Sequence, residues 1–103
     1  MLSKQMHLIA LGNLKDFWGR HPETKSSLER WVSVIKQRDW KTPGEVQSAF
    51  SKAKVLNSDR IRFEGGGGDY RLIAAFDFDC GLVFVKFIGT HAECDKIDAL
   101  KVA

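Results

Sequence analysis

The 103-residue sequence predicts an α+β domain, a small antiparallel-dominated sheet with helices packed on one face, in the order β-α-α-β-β-β-α. Three observations carry this. Apolar residues recur at helical spacing through the first half, and from residue 60 the spacing turns to alternation. Hydrophobic residues make up 44% of the chain, enough for a core that needs neither metal nor disulfide support.

The elements follow in order. MHLIAL (6–11) is long enough for one strand, and Gly12 and Asn13 punctuate it. LKDFWGRH then sets Leu14, Phe17 and Trp18 on one face of a short helix. Pro22, with Glu23 beside it, introduces a helix over 23–38 in which Leu28, Trp31, Val32 and Ile35 fall at i, i+3, i+4 and i+7. Thr42 before Pro43 reads as a cap for one or two turns in TPGEVQSAF, and SKAKVLNSD reads as a loop with lysines at its start. RIRFE (60–64) alternates Ile61 and Phe63 against Arg60, Arg62 and Glu64. GGGGD (65–69) connects it to the strand YRLIAAFDF, DCG is a turn, LVFVKFIG is a largely buried strand, and AECDKIDALKVA reads as a closing helix. The whole reads as a single domain over 1–103, with residues 1–5, ahead of Met6, as a candidate extension.

Net charge is +3 with a pI of about 9, which mildly favours an anionic partner. No apolar stretch approaches the roughly 18–20 residues of a membrane-spanning helix, and the N-terminus lacks the pattern of a secretory signal. Cys80 and Cys94 form no disulfide framework, which points to free thiols in a reducing cytoplasm.

Four glycines in a row invite a phosphate-loop reading, but such a loop opens a helix and here a strand follows. Arg60 and Arg62 project from one strand face about 6–7 Å apart, and hairpin pairing brings Arg71 alongside them. Three guanidiniums suit a phosphate; the same residues also suit a solvated strand face partly neutralised by Glu64 and Asp69. THAECD admits a metal site through His91 and Cys94 with Glu93 or Asp95, but no second His/Cys cluster completes it, since His7 and His21 stand alone. A Cys94–His91 nucleophile pair fits the spacing as well. Thr90 and Glu93 fit a capping box, which leaves His91 free to face the sheet. Trp18 and Trp31 sit at core spacing, and Trp40 stays open between core and base stacking.

MHLI, TPGEVQSAF and RIRFEGGGGDYRLIAAFDFDCGLVFVKFIGTHAECDKID, in that order, resemble the HigB toxins of bacterial toxin–antitoxin pairs, part of the RelE-like group of messenger-RNA endoribonucleases. The resemblance runs over nearly the whole chain from Met6 and is densest over 60–98. It implies a cytoplasmic toxin that enters the ribosomal A site and cuts messenger RNA by attack of a ribose 2′-hydroxyl on the adjacent phosphate, with no metal or other cofactor. It implies a HigA-type antitoxin partner with a helix-turn-helix domain, operator DNA reached only through that antitoxin, and no membrane. By position, Arg71 falls to the phosphate, His91 to proton transfer with Cys94 beside it, and Arg60, Arg62, Lys52 and Lys54 to RNA binding. Histidine, with an unperturbed pKa of about 6.5, suits acid–base work at neutral pH. Such toxins usually carry tyrosine where this chain has Cys94, and cysteine has no ring to stack on a base. The alternative is therefore a non-catalytic member, an RNA- or ribosome-binding protein or an antitoxin-bound corepressor with weakened cleavage.

Overall fold

Apolar residues at helical spacing bring three helices onto one face of a five-stranded sheet. The computed structural model describes residues 7–9, 11–65, 68–98 and 100–101. Strand β1 (His7–Ile9) leads into α1 (Leu11–Arg20), a 3-10 turn (Pro22–Thr24) and α2 (Lys25–Lys36). Helix α3 (Pro43–Ala49) starts where the Thr42 hydroxyl accepts from the Glu45 amide, so Thr42 is the expected cap. Four strands follow, β2 (Lys54–Val55), β3 (Arg60–Gly65), β4 (Tyr70–Asp77) and β5 (Leu82–Thr90), and α4 (His91–Asp95) begins where β5 ends.

The sheet order is β1-β5-β4-β3-β2, with β1 parallel to β5 and every other pair antiparallel. At the β4–β5 turn Gly81 takes φ +70°, a conformation side chains disfavour, and the Asp77 carboxylate accepts from the Cys80 amide at 3.0 Å. One sheet face, carrying Ile61, Phe63, Leu72, Ala74, Phe76, Val83 and Val85, joins Leu14, Phe17, Leu28, Trp31, Ile35 and Val46 of the helices in one core. Phe63 is its aromatic centre, edge-on to Trp31 at 5.3 Å and to Phe50 at 5.0 Å. Tyr70 donates its hydroxyl to the Glu23 carboxylate, fastening the start of β4 to the 3-10 turn. Among the described residues, no helix is long and apolar enough to cross a membrane.

The α+β, mostly antiparallel architecture is the expected one, with four differences. Gly12 and Asn13 do not separate strand from helix but lie in the first turn of α1, which already starts at Leu11. SKAKVLNSD is not all loop, because Lys54 and Val55 pair with Arg62 and Ile61 as a fifth strand too short to show alternation. TPGEVQSAF makes the expected one or two turns as α3 (Pro43–Ala49), but the expected element order left this helix out. The closing helix stops at Asp95, well short of AECDKIDALKVA. Residues 1–6, the candidate extension among them, and Gly66 and Gly67 lie outside the described residues.

Trp40 is a core residue, 1% exposed, whose indole N–H donates to the Ile35 carbonyl at 2.9 Å. Trp31 is buried too, but its indole N–H meets no acceptor among the described residues. Truncating a satisfied donor loses a hydrogen bond, whereas truncating an orphan relieves one. Trp40→Phe is therefore expected to destabilise by about 1 kcal/mol more than Trp31→Phe. Urea unfolding of the two variants decides it, and equal midpoints would contradict the assignment.

Candidate active site

The sheet face turned away from the three helices carries the charge. Residues paired across strands share a face, so the register arranges this one in rows. One row runs Lys54, Arg62, Ile73, Phe87; the next, toward the glycine connection, runs Glu64, Arg71, Gly89; the row on the other side holds Arg60, Ala75 and Phe84. Successive rows lie about 6–7 Å apart along the strands. Arg60, Arg62, Arg71 and Lys54 thus share one surface, as the alternation of RIRFE required.

Arg71 is the side chain on which this surface turns. It is 9% exposed, far more enclosed than a residue on a solvated strand. One terminal nitrogen donates to the Gly68 carbonyl and, at 3.4 Å, to the Tyr70 carbonyl. The other lies 3.5 Å from His91 Nδ1 and 3.9 Å from the Glu64 carboxylate. Its Nε is buried without a hydrogen-bond partner among the described residues. A buried cation with a spare donor is screened weakly by solvent, so its field acts strongly on any anion that approaches.

His91 is placed by the capping box expected of Thr90 and Glu93. The Thr90 hydroxyl accepts from the Glu93 amide at 3.1 Å, and the Glu93 carboxylate accepts from the Thr90 amide at 2.8 Å. Those bonds hold the Glu93 carboxyl below the usual carboxylate range. The His91 amide donates to the Asp69 carbonyl at 3.0 Å, so helix start and glycine connection are tied together. The imidazole itself is exposed, with Nδ1 toward Arg71 and Nε2 3.6 Å from the Asp95 carboxylate.

Cys94 is enclosed, 8% exposed, and lies within reach of the Arg62 and Arg71 charges. Burial pushes its thiol up; the nearby Arg62 and Arg71 charges pull it down by less, and Asp95 adds to the rise. The thiol therefore stays protonated at neutral pH, and no hydrogen bond joins it to His91. Neither cysteine is in a disulfide. Among the described residues, no three His, Cys, Asp or Glu side chains converge as metal ligands. Lys52 stands apart from the arginines, in a groove it shares with Arg30, Gly65 and Gly68.

Alternation along LVFVKFIG hides three further residues of this surface. The register jumps between Ile73 and Ala74, whose partners are Phe87 and Val85, so Lys86 is an extra residue in β5. That bulge puts both Phe84 and Phe87 on the charged face, where strict alternation would separate them. Lys86 lies over the Phe84 ring at 5.2 Å. The Phe87 ring covers Gly89, where an added Cβ would sit 2.7 Å from it. Two consecutive non-alternating residues, Lys86 and Phe87, are the only sequence trace of the bulge.

Residues 24–97 match the family model for HigB toxin, the RelE-like toxic component of a toxin–antitoxin system. The chain is 31% identical over 99 residues, 89% of its own length and 91% of the relative's, to mRNA interferase HigB of Escherichia coli O6:H1. It is 28% identical over 98 residues, 92% of this chain and 93% of the relative, to mRNA interferase toxin HigB of Escherichia coli K12. The mRNA interferase HigB of Shigella flexneri matches to the same extent.

The cap makes two predictions. Thr90→Ala is expected to cost about 1 kcal/mol at neutral pH, the usual price of a lost N-cap hydroxyl. The folded-state pKa of Glu93 lies below its ordinary 4.5, so its carboxylate stabilises above that value and the effect fades as pH falls through the lower folded value. Glu93→Gln should thus unfold at lower temperature than the native protein at pH 7, and the gap should close in acid. Thermal melts from pH 7 to pH 3 check both, and a gap that widens in acid would refute the sign.

Proposed function

The chain belongs to the HigB family of RelE-like toxins, and from that premise we propose that it is an mRNA interferase that cuts messenger RNA in the ribosomal A site. The observation that carries this reading is the enclosed Arg71 guanidinium in contact with the exposed ring of His91. A strand-cutting reaction of this type needs no metal. The 2′-oxygen attacks the adjacent phosphorus and loses its proton to a base. The 5′-oxygen leaves with a proton from an acid, and a 2′,3′-cyclic phosphate remains. The crowded phosphorane carries extra negative charge, which a fixed guanidinium stabilises with little rearrangement. Arg71 takes that role, and His91 moves the proton. Arg60, Arg62 and Lys54 hold the strand's phosphates along the sheet, with Lys52 reaching it from the neighbouring groove. Cys94, kept protonated by burial, has a proton to give but is no base.

The whole chain acts as one cytoplasmic toxin domain, restrained by a HigA-type antitoxin whose helix-turn-helix domain makes the contact with operator DNA. Cys94 itself favours a second reading. A neutral, ringless side chain in the place of a tyrosine fits a protein that binds the ribosome or its antitoxin without cutting.

Induced expression in bacteria separates the two. The nuclease reading expects growth arrest with new RNA ends inside translated messages. Arg71→Ala and His91→Ala should each lower cleavage by roughly 100-fold or more, and Lys101→Ala, on an exposed turn, should leave it intact. The His91 ring is exposed, so its variant should stay folded, with a native circular dichroism spectrum. Arrest without new RNA ends, or no arrest from the native chain, would discard the nuclease in favour of the binding protein.

A further inference from the structure

We propose that Phe84 and Phe87 form a two-ring platform on which bases of the bound RNA strand stack, one beside the reacting phosphate and one a step along the strand. The RNA ligand rests on the interferase reading above; the platform itself rests on the geometry of β5.

Both rings are half-buried on the charged face, while their neighbours Val83 and Val85 are buried in the core. Apolar rings interleaved with Arg60, Arg62, Lys54 and Lys86 match what single-stranded nucleic acid requires, cations for the backbone and π-faces for the bases. The rings occupy adjacent rows, opposite Ile73 and Ala75, so they meet two successive bases rather than one. Phe87 has the closer place, with its ring over Gly89, the cross-strand partner of Arg71. It thus brings an aromatic surface to the reacting centre, where Cys94 offers none. Gly89 is part of the arrangement, since any side chain there would strike the Phe87 ring at 2.7 Å and the Glu93 carboxylate at 2.9 Å.

Phe84 lines a groove of about 520 Å³ with Arg60, Lys86 and three aspartates, Asp59, Asp77 and Asp79. Three carboxylates beside an aromatic ring repel a phosphate but accept from the amino groups of a base. The groove therefore takes the base, and the two cations hold the backbone at its rim.

The test uses a short RNA with a 2′-deoxy sugar at the cut position and 2-aminopurine on either side of it. Binding of the native protein should change the 2-aminopurine fluorescence. Phe87→Leu should remove the change at the nearer base and Phe84→Leu at the farther one, each with affinity about tenfold or more weaker. Phe87→Tyr, which keeps the ring, should behave as native, and thermal melts of all three variants should match the native protein. A flat signal with the native protein, or an equal signal from both leucine variants, overturns the platform. So does loss of antitoxin binding by the leucine variants with the RNA signal unchanged, which would make the rings a protein contact. The two readings separate cleanly. A native protein that stacks the probe but never cuts messenger RNA keeps the platform and loses the interferase. One that cuts without stacking does the reverse.

Discussion

One enclosed guanidinium holds together the end of the sheet where β3, β4, the glycine connection and α4 meet. Arg71 binds carbonyls of the glycine connection with one nitrogen and sits between His91 and Glu64 with the other. A charge with so little water around it is costly unless polar groups surround it. Here they come from three places: β3 through Glu64, the connection through Gly68 and Tyr70, and α4 through His91. The same condition that makes the cation tolerable also fixes the shape of the loop and the position of the imidazole. The His91 amide closes the circuit on Asp69.

The rest of the molecule keeps the two faces of the sheet in different solvents. Three helices dry one face completely, with Phe63 at the meeting point of Trp31, Phe50 and Phe76. With its apolar surface buried there, the sheet can leave its other face to cations. Only α4 reaches toward that second face, through Cys94. Five residues of helix suffice for this because the capping box supplies the hydrogen bonds that so short a helix lacks at its start.

Much of this was legible in the residues. Leu28, Trp31 and Ile35 announced α2, and the alternation in RIRFE placed Arg60 and Arg62 on one face. Thr90 and Glu93 gave the cap. What stayed hidden depended on distance in space. An arginine in an alternating strand reads as solvated, and Arg71 is enclosed only because the connection and α4 close over it. Lys54 and Val55 are too few to show a period. Trp40 showed no helical spacing to claim it for the core, since its acceptor, the Ile35 carbonyl, belongs to the preceding helix. LVFVKFIG reads as a largely buried strand, so Phe84 and Phe87 do not stand out in it as half-buried rings on the charged face; only the bulge at Lys86 puts both there.

That single extra residue means β5 is read in two frames. Up to Val85 the odd-numbered positions of the strand face the core; beyond Lys86 the even-numbered Ile88 does. Deleting Lys86 would leave Val85 and Ile88 facing the core and Phe87 facing out, since alternation would then run straight through. Pairing the strand without the bulge but with every residue kept would do the opposite, bringing Phe87 inward and turning Ile88 out. In this strand the bulge, rather than the length, decides which surface the residues leading to His91 belong to.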